Sequence, residues 1–143
     1  MQNLGEMVRI LTALLLVLLT ACGTVGLEPS SQIVQRALAL QLEQTQQQLN
    51  KQLHSSGRSE PPRFEINQVV INEHLPQVIQ NLPAYRVRGT YDRTVHLPKR
   101  RVTQQQNPFV VYLQRQKEGK TWRLALPQST GNEARAWRTY LIE

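Results

Sequence analysis

One run, "AYRVRGTYDRTVHLP" from Ala84 to Pro98, constrains this chain more than any other stretch. Tyr85, Val87, Gly89, Tyr91, Val95 and Leu97 fall on one side, with Arg93 the exception. Arg86, Arg88, Thr90, Asp92, Thr94 and His96 fall on the other. Period two is the signature of an extended strand with one apolar face, and that face must be covered. From Tyr85 to Leu97 the run spans about 43 Å at the standard rise, long for one flat strand. Gly89 is therefore the expected place for a bend or bulge, and Arg93 the point where the strand leaves the core.

The cover lies upstream. Ser30 to Leu53 places Ile33 or Val34, Leu38, Leu42, Thr45, Leu49 and Leu53 at spacings of three and four, one stripe of an amphipathic helix of about six turns. Ser30 or Ser31 can cap its first amides, and Gln, Leu and Ala fill it without an internal Gly or Pro. The Gln-rich outer side carries too few charges for a coiled coil, so the stripe is expected to pack on its own domain. "HSSGRSEPP", His54 to Pro62, breaks the helix as a loop.

Further strands follow. "RFEINQVVI", Arg63 to Ile71, reads as one. Asn72 to Pro83, with Pro76 and Pro83 around Val78, Ile79 and Leu82, reads as either a bent edge strand or a short turn of helix. Lys99 to Pro108 is expected to be a polar connection, with a wide hairpin as the alternative. "FVVYLQRQ" and "TWRLALP" alternate on either side of "KEGK" and form a hairpin turning at Glu118-Gly119. Thr130 to Glu143 is expected to close the chain with a helical turn or two, Thr130 and Glu133 making a capping box and Trp137, Tyr140 and Leu141 docking it. The expected fold is α+β: a long N-terminal helix packed on a curved antiparallel sheet in two layers. By analogy of shape alone this resembles cystatin-like and nuclear-transport-factor-2-like domains, which carries no functional weight.

The chain opens differently. Ile10 to Leu19 is apolar except for Thr12, follows Arg9, and ends in small residues at Cys22. A membrane span needs roughly 20 apolar residues, so this core fits a secretory signal better. A start at Met7 would give a better signal than the printed one, where Glu6 offsets Arg9. Leu19-Thr20-Ala21-Cys22 resembles the bacterial lipoprotein box. That resemblance implies cleavage before Cys22, lipidation of its thiol, and stable anchoring by two or more acyl chains. Gly23 after the cysteine, by analogy with enterobacterial sorting, favours the outer membrane. The expected organisation is a signal peptide over 1–21, a lipidated terminus and tether over 22–29, and a single domain over 30–143.

Cys22 is the only cysteine, so a lipidated chain holds no disulfide, no thiolate metal site and no cysteine nucleophile. Seventeen Lys and Arg oppose ten Asp and Glu, a net charge of +7, and removing residues 1–21 leaves that balance unchanged. Behind a signal peptide such a charge points to anionic lipid headgroups, cell-wall polymers or an acidic protein face rather than to nucleic acid. Tyr85 and Tyr91 point away from the arginines, whereas stacking platforms for single strands need both on one side.

Catalytic patterns are not found. His54 beside Ser55 and Ser56 has no nucleophile-elbow motif, Glu73-His74 lacks the spacing of a zinc helix, and His96 stands among basic residues. Asp92 reads as a network partner rather than half of a carboxylate pair. The chain is thus expected to be non-enzymatic, without metal or cofactor. The feature singled out as a binding surface for anions is Arg86 and Arg88, then Lys99, Arg100 and Arg101, with Arg115 and Arg123 available from the hairpin. Solvated sheet faces also carry such residues for edge protection.

"LPAYRVRGTYD" (82–92) and "NPFVVYLQRQKEGKTWRL" (107–124) are similar to a group of small cyanobacterial-type lipoproteins. The resemblance implies a membrane-tethered domain facing the periplasm or thylakoid lumen. It implies no activity and supplies no site residues. Two functions are expected: an accessory or assembly protein docking on a membrane complex, or a module binding an anionic envelope component.

Overall fold

A computed structural model describes residues 3–9, 28–53, 62–129 and 136–143. Helix α1 is described over residues 3–9 and is exposed; Ile10 to Leu19 and Cys22 lie outside the described residues. The described chain continues with α2 (Ser31–Leu53), β1 (Arg63–Ile79), β2 (Leu82–His96), β3 (Arg101–Arg115), β4 (Trp122–Gln128) and β5 (Ala136–Ile142). The strands form one antiparallel sheet in the order β1-β2-β3-β4-β5. No described helix is long and apolar enough to cross a membrane.

The α+β character stands, but the curved sheet and the cystatin-like and nuclear-transport-factor-2-like analogies do not. The sheet is an open meander, neither curved nor closed. One reason lies in α2: only its first half is seated, with Val34, Ala37 and Leu38 buried, while Thr45 and Leu49 of the expected stripe are exposed. A helix roughly 34 Å long that packs over its first turns alone gives a sheet little to wrap around. Ser30 caps it, its Oγ accepting from the Ile33 amide at 3.3 Å.

The core joins α2 to one sheet face through Val87, Tyr91, Phe109, Val111, Leu113, Trp122, Leu124 and Ile142. All but Ile142 are the alternate positions expected of β2, β3 and β4. Gly89 marks a close approach: a Cβ there would stand 1.9 Å from the Val70 carbonyl oxygen and 3.0 Å from the Phe109 ring. The β1–β2 register shifts on both sides of that contact, between Asn67/Val70 and Ile71/Glu73.

Two local expectations change, and one left open between edge strand and helical turn is decided as strand. Asn72 to Ile79 continues β1 as an edge strand, and Gln80-Asn81, with φ of 51° and 63°, make the two-residue turn into β2. The polar connection after Lys99 is short: the Leu97 amide donates to the Arg100 carbonyl at 2.9 Å, and β3 begins at Arg101. Gln106, with φ of 51°, absorbs a register shift there, and its amide donates to Asp92 Oδ1 at 2.9 Å, so Asp92 caps a bulge. Finally, Ala136 to Ile142 is a strand paired with β4, not a helix. Its alternation of Trp137, Thr139 and Leu141 against Tyr140 and Ile142 satisfies β4's open edge, which outweighs a local capping signal. Thr130 and Glu133 lie outside the described residues. The Glu118-Gly119 hairpin forms as expected, with Gly119 at φ 74°.

Candidate functional site

Helix α2 covers one face of the sheet; the other is here called the outer face. Period two and the strand register assign its residues. One row across the strands is Leu75, Arg86, Tyr112 and Ala125; the next is Glu73, Arg88 and Val110; a third is Val70, Thr90 and Pro108. Tyr112 packs against Trp137 of β5 with ring centroids 5.0 Å apart, beside buried Ile79, Ala84 and Ala125. Around this cluster Val70 is 52 % exposed, Leu75 40 % and Val110 41 %.

Arg86 and Arg88 of β2 differ. Arg88 is exposed and meets Glu73 at 3.7 Å. Arg86 is half-buried between Leu75 and Tyr112, and its Nε is screened from solvent with no hydrogen-bond partner among the described residues. Arg123 is occupied by β5, donating to Thr139 Oγ1 at 3.0 Å and to its carbonyl at 3.1 Å. Arg115 clasps the hairpin turn through two bonds to the Gly119 carbonyl, at 3.0 and 2.7 Å. Both therefore serve the fold.

Lys99, Arg100 and Arg101 form a second basic group at the tip of the β2–β3 hairpin. Arg101 pairs with His96, eight residues from Arg88, or about 26 Å along the strand. The five arginines and lysines expected to share one surface thus fall into two separate groups. At the tip, His96 Nε2 lies 3.4 Å from Glu65 Oε2. The Asn67 side chain donates to the Glu65 carboxylate and holds its pKa below the ordinary 4.5, helped by the His96 contact and the positive field of Arg101.

His74 lies on the side of the sheet that carries Tyr85. Its Nδ1 faces Glu28 at 3.4 Å and its ring meets Tyr85 edge-on. His54 lies outside the described residues. Among the described residues no three His, Cys, Asp or Glu converge on a possible metal position.

A groove of about 780 Å³ between α2 and the start of β1 was not legible in the sequence. Ala39, Leu42, Phe64 and Ile66 line it with amides such as Gln35, whose Nε2 donates to the Ile66 carbonyl at 2.8 Å. Among the described residues that line it there is no histidine, serine or cysteine. The aromatic shelf on the outer face was also missed. Tyr112 and its parity were visible, but Trp137 joins it only because β5 is a strand.

Comparison of the chain with protein families, with curated proteins and with solved structures finds no match.

Proposed function

We propose that this protein is a lipid-anchored, non-enzymatic accessory domain that docks on a membrane complex, facing the periplasm or a thylakoid lumen. What supports docking is one observation: α2 covers a single sheet face, and the outer face mixes exposed Val70, Leu75 and Val110 with Arg86, Arg88 and an aromatic pair. Arginine and aromatic side chains among apolar neighbours are the composition of binding hot spots. Support for anchoring comes from the lipobox-like sequence ending at Cys22.

A second reading, binding of an anionic lipid headgroup or cell-wall polymer, is favoured by the exposed tip of Lys99, Arg100 and Arg101. The readings separate on membranes from an expressing cell. A chain in which residues 1–22 are replaced by an ordinary cleaved secretory signal, so that neither the thiol nor the apolar leader remains, should move from the membrane to the soluble fraction. Its staying membrane-bound contradicts anchoring. Retention of that chain on anionic vesicles, lost on neutralising Arg100 and Arg101, would favour the second reading.

A further inference from the structure

We infer that the row Leu75, Arg86 and Tyr112, with Arg88, Val110 and Trp137 beside it, binds a protein segment that presents a carboxylate between apolar side chains. This rests on the docking reading and gives its partner a chemistry.

The charge on this part of the outer face selects the partner. Among the described residues Glu73 is the one carboxylate paired with either arginine, and it engages Arg88 across an exposed 3.7 Å contact that a competing carboxylate can replace. Arg86 has no ion pair among the described residues, and its Nε is screened from water without an acceptor. Leu75 and Tyr112 are the cross-strand neighbours of half-buried Arg86, and its guanidinium offers an arriving carboxylate a planar fork of donors. The apolar neighbours exclude water around that pair, which strengthens it. A lipid headgroup surface is a poorer match, because it offers nothing to Val70, Leu75 and Val110 at the depth of a flat sheet. The dense cationic group that would suit headgroups lies about 26 Å away at the hairpin tip.

The test uses the full-length chain in the membranes of the expressing cell, with a photoreactive amino acid replacing Val110. The crosslinked segment is identified by mass spectrometry and made as a synthetic peptide, and its affinity for the detergent-purified full-length protein is measured. A segment holding Asp or Glu among apolar residues supports the inference, provided two changes each weaken binding at least tenfold: Arg86→Gln, and conversion of the peptide carboxylate to its amide. Arg88→Gln is expected to weaken it several-fold and stands in should Arg86→Gln fail to fold. Arg100→Gln with Arg101→Gln should leave it unchanged.

Crosslinks to lipid, to a second copy, to the chain's own first 27 residues, or to nothing overturn the inference. So does a peptide whose affinity ignores both Arg86→Gln and Arg88→Gln. A protein crosslink to a segment without carboxylates would sink the partner chemistry yet leave docking standing, whereas no protein crosslink sinks both.

Discussion

Gly89 shows how much one hydrogen atom decides. Because the obstacle is the Val70 backbone oxygen, a methyl group cannot be accommodated by a side-chain rotation. Gly89→Ala should cost about 3 kcal/mol, read from urea unfolding; a loss under about 0.5 kcal/mol would mean β1 can step aside. At the tip, the Glu65 carboxylate should titrate below 4.5 in an NMR pH series, and Asn67→Ala should raise its midpoint, since the Asn67 bond is the leading cause. The sign follows from linkage: a carboxylate with a lowered folded pKa contributes stability above its unfolded value, and loses it as pH falls through the folded one. An unmoved midpoint in Asn67→Ala would assign the shift to His96 and Arg101 instead.

Among elements, the strands of strongest alternation were legible and the ones fixed by distant partners were not. Val87, Tyr91, Val111, Leu113 and Leu124 are core residues that their own periodicity reveals. Residues 72–79 mix Pro76 with irregular apolar spacing, and only pairing with β2 makes them a strand. β5 depends likewise on β4's edge, which no local pattern at Thr130 to Glu133 can report. The helix stripe was readable, but not that the sheet supports only its first half. Buried Gln114 illustrates a contact of the same distant kind: its Nε2 donates to the Ile79 carbonyl at 2.9 Å and ties the β1–β2 turn to β3. Gln114→Leu strands that carbonyl and should cost about 2 kcal/mol. Unchanged urea stability in that variant would show water reaching the turn. In the turn itself, Asn81→Gly should gain up to about 1 kcal/mol, because only glycine takes φ of 63° without strain.

For the whole molecule, the open meander leaves the outer face uncovered among the described residues, and that asymmetry organises the account. The basic residues were legible in sequence, but their division into a sheet-centre pair and a hairpin-tip group was not, since it depends on where the β2–β3 turn falls. On the proposed reading a partner meets this second face, and a lipid at Cys22 would keep the domain beside it at the membrane. The most direct check is the mass of the amino-terminal peptide from protein isolated out of the membrane fraction. The account predicts a peptide that begins at Cys22 and carries added acyl mass. An unmodified Cys22, or a peptide still carrying residues 1–21, would contradict it.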